Sequence, residues 1–109
     1  MERVTTPDEF RKAVVEAEGP VLALFHAVWC GYCQDFLPHF RGRETGPIKK
    51  VEVDLSEEIN PLWDTYEVEV VPTVVLFEDG AVRARADGIL GKGLTVADLD
   101  GVLAGAEAA

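Results

Sequence analysis

Cysteine is nearly absent: Cys30 and Cys33 are the only two in 109 residues, too few for a disulfide scaffold. Positive charge is also scarce, with 10 Lys and Arg against 20 Asp and Glu and a net charge of −10. That balance makes nucleic acid and anionic membrane surfaces poor partners, and most of the carboxylates read as a solvated face. No apolar run approaches membrane-spanning length, and residues 1–7 lack the apolar stretch of a secretory leader. The expectation is a reducing compartment, the cytoplasm, where dithiols do chemistry and do not serve as scaffolding. Repeats and low-complexity segments are missing too. What remains is 48% hydrophobic with a mean hydropathy of +0.07, which describes a folded globule and not a disordered chain. One domain over residues 1–109 is expected, with residues 105–109 fraying.

The two cysteines sit three apart, in Trp29-Cys30-Gly31-Tyr32-Cys33, at the seam between an apolar strand-like run and a helix-like one. A C-x-x-C in that position signals a redox dithiol. If Cys30 starts the helix, Cys33 lies one turn on along the same face, with Cβ atoms about 5–6 Å apart, close to what a disulfide spans. The helix start also offers Cys30 unpaired N–H groups and the positive dipole end, which favour thiolate. One sulfur is thereby made nucleophilic and the other is held ready to resolve. Two other readings compete. A zinc site needs two further ligands, and only His26 and His39 remain, thirteen residues apart, which does not suit the short histidine spacing of Cys2His2 sites. A static bridge suits a secreted chain, and nothing here looks secreted.

Helical and strand signals alternate along the chain. Thr6-Pro7-Asp8-Glu9 is a capping box with proline at the first helical position, and Phe10, Ala13, Val14 and Ala17 mark one buried helix face. Gly19-Pro20 stops that helix. Residues 21–28 are apolar apart from His26, as in a strand covered on both sides. The helix after Cys30 buries Cys33, Phe36, Leu37 and Phe40, and Pro38 should kink it. A polar loop is predicted over residues 41–47, a strand over 48–55, and a short helix from Asn60-Pro61 through Tyr66. Apolar runs at 74–77 and 81–86 flank Glu78-Asp79-Gly80, a hairpin signal. Thr95 opens a last helix with Val96, Leu99, Val102 and Leu103 expected inward. Early alternation implies parallel strands joined by crossovers, and the hairpin adds antiparallel ones. The fold class is α/β, a central mixed sheet with helices on both faces.

At this point the chain resembles the thioredoxin family, from about Val4 to Leu103. Trp29-Cys30-Gly31-Tyr32-Cys33 is similar to that family's W-C-G-P-C, with tyrosine in place of proline. Pro38 matches its helix-kinking proline, and Val71-Pro72-Thr73 its cis-proline motif facing the dithiol. Lys50 and Asp54 fall on strand positions where the family places a lysine and an aspartate below the active site. Gly80 matches the hairpin glycine, and Gly88 the glycine bordering the substrate groove. The resemblance implies the thioredoxin fold and a thiol–disulfide oxidoreductase with Cys30 and Cys33 catalytic. Supporting residues would be Trp29, Gly31, Tyr32, Pro72, Asp54, Lys50 and His26. It implies a substrate site at Trp29, Val71, Pro72 and Gly88, in which the Val71 N–H and C=O pair with an extended peptide and Trp29 and Val71 form an apolar lip. It implies no cofactor beyond the redox-active Cys30–Cys33 disulfide bond, and disulfide-containing protein substrates. A separate reductase-type electron donor would serve a monomer engaged in electron transport and cell redox homeostasis.

The departures from the family pattern carry their own expectations. The family buries an acid under the resolving cysteine, where this chain has Leu24, so deprotonation of Cys33 needs another helper. His26 shares Leu24's side-chain direction and stands where the family has an aromatic residue. It reads as packing first and as a titratable neighbour of the dithiol second, with Glu52 or Lys50 as lesser candidates. Tyr32 gives a C-G-Y-C centre similar to those of periplasmic disulfide isomerases and should make the centre less reducing. Asp87 puts charge where the groove is usually apolar, favouring partners with a basic residue. The stretch between Cys33 and Lys50 is shorter than usual. Glutaredoxin- or isomerase-like exchange is one alternative function, although no positive cluster is evident for glutathione carboxylates. A thioredoxin-fold adaptor or metal-binding module is the other.

Overall fold

The computed structural model describes residues 1–57 and 59–106. In chain order it has β1 (Glu2–Val4), α1 (Pro7–Phe10) continuing into a wider π-helical turn (Arg11–Val15), β2 (Pro20–His26) and α2 (Gly31–Gly42). Then follow β3 (Lys49–Asp54), α3 (Leu62–Thr65), β4 (Thr73–Glu78), β5 (Ala81–Asp87) and α4 (Val96–Ala104). The strands form one five-stranded sheet in the order β1-β3-β2-β4-β5. β3 runs parallel to β1 and β2, while β4 runs antiparallel to β2 and β5. The mixed sheet expected from the sequence is what forms, and β2 is its central strand.

Alternation along the strands sorts side chains into two layers. On one face Ala23, Phe25, Val51, Val53, Val75 and Phe77 pack with Phe10, Val14 and Leu62 of the α1 and α3 segments. On the other, Leu22, Leu24, Val74 and Leu76 pack with Phe36, Leu37, Phe40, Leu99 and Val102 of α2 and α4. Truncating a buried phenylalanine such as Phe25 or Phe40 would cost about 3–5 kcal/mol. Between β4 and β5, Asp79 and Gly80 both take positive φ, 52° and 79°, the two-residue turn whose twist suits a hairpin.

Several boundaries differ from expectation for identifiable reasons. β1 was not anticipated: only Val4 of its three residues is buried, so it has no local pattern and exists by pairing with Val51, Glu52 and Val53. The first helix closes early through a five-residue hydrogen bond from Glu16 N–H to Arg11 O. β2 ends at His26, and Val28, counted into that strand, is 63% exposed. α2 runs on to Gly42, so Arg41 is helical and does not lie in a loop. Val96 lies at the first turn of α4, 44% exposed, not inward. Gly105 and Ala106 continue α4 as a turn: their N–H groups bond Val102 O and Leu103 O, and Ala106 packs on the core. Residues 107–109 of the expected tail lie outside the described residues.

Candidate active site

The central strand β2 delivers the chain to the start of α2, and Cys30 occupies the position just before that helix. Its sulfur accepts the Cys33 N–H at 3.1 Å, as a serine or aspartate oxygen does at other helix starts. The Cys30 thiol in turn donates to Val71 O at 3.4 Å. Cys30 is 9% exposed and Cys33 is fully buried, and both are free thiols. Burial pushes the Cys33 thiol far above its ordinary value, and the neighbouring Cys30 sulfur adds to the shift. The two sulfurs are therefore unequal: Cys30 keeps some exposure, while Cys33 is enclosed in the apolar cluster that includes Ala27 and Val71.

The Val71–Pro72 peptide bond is cis. Val71 O, expected to be open for a peptide, is engaged by the Cys30 thiol, so a docking strand would compete with that contact. Gly88 lies against the same loop: a Cβ there would fall well inside contact distance of Pro72 O. Glycine is required at that position by the close approach of two backbones. Around Cys30 runs a groove of about 290 Å³ lined by Trp29, Tyr32, Trp63, Val70, Val71, Ile89 and Leu90. Trp29 (57% exposed), Ile89 (60%) and Leu90 (86%) give it apolar walls. Gly31, the first residue of α2, lines its floor, with open space where a Cβ would stand.

Trp29 is fixed from two sides. Its indole N–H donates to Ser56 O at 2.8 Å, and its ring stacks on Trp63 at 6.3 Å and 11°. Ser56 also accepts the Val28 N–H and is itself held by Asp54 Oδ1, through its N–H at 2.9 Å and through its hydroxyl. Asp54 thus positions the tryptophan through Ser56. Burial pushes the Asp54 carboxyl up, but hydrogen bonds from Ser56 and Arg3 outweigh it and leave the carboxyl below its ordinary value. Ser56, Trp63, Ile89 and Leu90 escaped the sequence reading. Trp63 was legible as a large aromatic on a short helix, but nothing local said that it would stack on Trp29.

Leu24 and His26 share the α2-side face of the sheet with Glu52 and Asp54, their register partners on β3. His26 is 3% exposed, neither ring nitrogen has a hydrogen-bond partner among the described residues, and Nε2 lies 3.7 Å from Glu52 Oε1. Burial holds its pKa below the ordinary value, against the pull of Asp54 and Glu52. Glu52 is gripped by Arg41 through two hydrogen bonds of 2.8 and 2.9 Å, which keep its carboxyl below the ordinary value despite burial. Lys50 is elsewhere. It pairs in register with Leu22, and its ammonium donates to the carbonyls of Phe40, Arg41 and Arg43, capping the far end of α2. The expectation of a lysine below the active site fails because a two-residue step along β3 moves it toward the other end of the helix. Asp87 is tied to Arg85 and is not a free groove charge. Among the described residues no group of three or more His, Cys, Asp or Glu is placed to hold a metal ion.

A cysteine at a helix start, a buried partner one turn on and an adjoining cis-proline loop define a class, the thiol–disulfide oxidoreductases. The sequence profile of the thioredoxin family matches residues 2–99. The chain is 35% identical over 100 residues to a thioredoxin of Pseudomonas aeruginosa, covering 87% of this chain and 90% of that one. It is 30% identical over 102 residues to a thioredoxin of Mycolicibacterium smegmatis, covering 90% and 91%. To chloroplastic thioredoxin Y1 of Arabidopsis thaliana it is 35% identical over 88 residues, 78% of this chain and about half (51%) of that relative's length. The thioredoxin structure from Fasciola hepatica superposes with a TM-score of 0.78 at 24% identity, covering 95% of this chain and 97% of that one. The chain belongs to the thioredoxin family.

Proposed function

We propose that the protein reduces protein disulfides through Cys30 and Cys33, with Cys30 as nucleophile. The observation that carries this reading is the inequality of the two sulfurs, Cys30 at the groove wall and Cys33 buried with its thiol pushed up. A substrate segment lies along the apolar walls and displaces the Cys30 thiol from Val71 O. Cys30 thiolate attacks one sulfur of the substrate disulfide, forming the Cys30–substrate bond while the other substrate sulfur leaves as thiolate and takes a proton. Cys33 then gives up its proton and attacks Cys30. The mixed disulfide breaks, the second substrate thiol is released, and two electrons have passed to the substrate. The Cys30–Cys33 disulfide that remains is restored by a separate reductase-type donor. The reading includes a monomer working in the cytoplasm, no cofactor beyond the dithiol, and Trp29, Gly31, Val71, Pro72 and Gly88 as the docking surface.

The test is a trapping pair. Cys33→Ser is expected to accumulate mixed disulfides with a disulfide-bearing protein such as insulin, all through Cys30, while Cys30→Ser neither traps nor reduces. Adducts mapped to Cys33 by peptide mass spectrometry would overturn the assignment of the nucleophile.

A further inference from the structure

Tyr32 stands between the two cysteines in the first turn of α2, 46% exposed, yet its ring is not free. Its hydroxyl donates to Gly91 O at 2.8 Å, across a sequence separation of 59 residues. On the same loop, a Cβ at Gly93 would stand 2.9 Å from Tyr32 Cβ and 3.2 Å from two atoms of its ring, so the loop backbone lies directly on the tyrosine. Residues 89–93 form a closed unit: Ile89 N–H bonds Gly93 O at 3.1 Å, while Lys92 and Gly93 N–H both bond Ile89 O at 2.8 Å. Gly91 and Gly93 take φ of +82° and +72°, which the tight closure demands. Among the described residues the Tyr32 hydroxyl is the one side-chain hydrogen bond that ties this unit to the rest of the molecule. The unit carries Ile89 and Leu90, which form the groove wall facing Trp29 and Val71.

We propose that Tyr32 is a positioning residue that straps the 89–93 loop in place and thereby builds the apolar wall against which a substrate's side chain beside the reactive cysteine packs. The proposal rests on the disulfide-exchange reading and extends it to substrate choice: disulfides flanked by a bulky apolar residue are favoured over those flanked by glycine. The loop is anchored at its ends by Gly88 against Pro72 and by Leu94 on the core, and its outer edge, from Ile89 to Gly91, swings once the hydroxyl bond is lost. Ile89 and Leu90 then no longer stand at a fixed distance from Cys30. Binding of the flanking side chain weakens, while sulfur attack, which involves neither loop residue, keeps its intrinsic rate.

Tyr32→Phe tests this, because it keeps the ring and removes only the hydroxyl. Prereduced wild type and variant are mixed by stopped flow with two cyclic peptide disulfides that differ in having leucine or glycine after the cysteine attacked. The half-saturation concentration for the leucine peptide is expected to rise about threefold to tenfold, the range for a lost intramolecular hydrogen bond. The maximal rate and the redox equilibrium against a glutathione series should stay put, and the leucine-over-glycine preference should shrink. Backbone 15N order parameters of residues 89–93 are expected to fall in the variant. Gly93→Ala, which forces the loop off the ring from the other side, should reproduce the loss of preference. Equal half-saturation concentrations and unchanged order parameters, with both proteins reducing both peptides, overturn the strap alone. A proportional change for both peptides accompanied by a shifted redox equilibrium also overturns it, since Tyr32 would then act on the dithiol itself. Wild type that reduces neither peptide overturns the exchange reading and the proposal with it.

Discussion

His26→Phe is the substitution that most directly tests the buried polar layer beneath the dithiol. Both His26 nitrogens are buried without hydrogen-bond partners among the described residues, and the pKa lies below the ordinary 6.5, chiefly because burial disfavours the imidazolium. A group whose folded pKa is depressed binds more protons in the unfolded chain, so its effect on stability appears as the pH falls. The folded state therefore starts losing ground as the pH drops below about 6.5, and the loss continues down to the folded pKa of His26. For a single proton the slope cannot exceed about 1.4 kcal/mol per pH unit. Glu52, depressed from 4.5 by the Arg41 hydrogen bonds, adds a second decline of the same sign only below about pH 4.5, so the windows separate. Phenylalanine deletes the first decline. It also removes two unsatisfied buried nitrogens, worth about 1–3 kcal/mol each in desolvation, which offsets the strain of its larger ring. Urea unfolding at half-unit steps from pH 5 to 8 is the assay. Wild type should weaken steadily below pH 6.5 while the variant stays level to about pH 5 and is no less stable at pH 7.5. Parallel curves for the two proteins would refute the argument, and would mean that His26 is protonated or relaxes into solvent without penalty. The same variant, followed by single-turnover thiol release between about pH 6 and 8, tests His26 as acceptor of the Cys33 proton. Slower resolution supports that role, and superimposable rates assign His26 to packing.

Iodoacetamide near neutral pH should alkylate Cys30 first and leave Cys33 largely unmodified until the protein is unfolded, because Cys33 is fully buried and its thiol is pushed up. Faster labelling of Cys33 would reverse the roles. Gly88→Ala should destabilise the fold by about 1–3 kcal/mol, read by urea unfolding, since the methyl group meets the Pro72 carbonyl and one backbone must yield. A variant of wild-type stability and docking would show that the approach is softer than its geometry. Asp64, Glu67 and Glu69 line a trough of about 800 Å³ beside Trp63 and Gly88, and none has an ion-pair partner among the described residues. A preference for lysine-bearing disulfide peptides should therefore depend on Glu69 and not on the paired Asp87. Glu69→Lys should lower kcat/KM for such a peptide several-fold at low salt, an effect that fades toward about 1 M salt. Loss from Asp87→Asn with none from Glu69→Lys would contradict it.

Where apolar periodicity was strong the sequence was enough. The β2 run, the Phe36-Leu37-Phe40 face of α2 and the Asp79-Gly80 turn were all legible, because each rests on contacts or dihedral preferences within a few residues. β1 was not, since three residues with one buried valine have no reason to extend except a partner strand brought from far along the chain. The polar positions divide in the same way. The sequence placed the dithiol at a strand-to-helix seam, because the spacing of Cys30 and Cys33 has meaning at that junction alone. It could not say that Lys50 caps the far end of α2 or that Arg41 takes Glu52. Those partners are chosen by which long side chain reaches which carbonyl or carboxylate once strands and helices have docked.

The sequence by itself determined the fold class and the pair of reacting sulfurs, since each is set by covalent spacing or local conformational preference, while the proline loop beside them was implied only by the family resemblance. Tertiary structure alone decided the inequality of the two sulfurs, the groove walls and the strap from Tyr32 to Gly91. Burial, electrostatic shift and close contact are properties of assembled neighbours. Cys33 is fully buried within an apolar cluster that also holds Ala27 and Val71, and one wall of the groove comes from a loop that bonds the Tyr32 hydroxyl from 59 residues away.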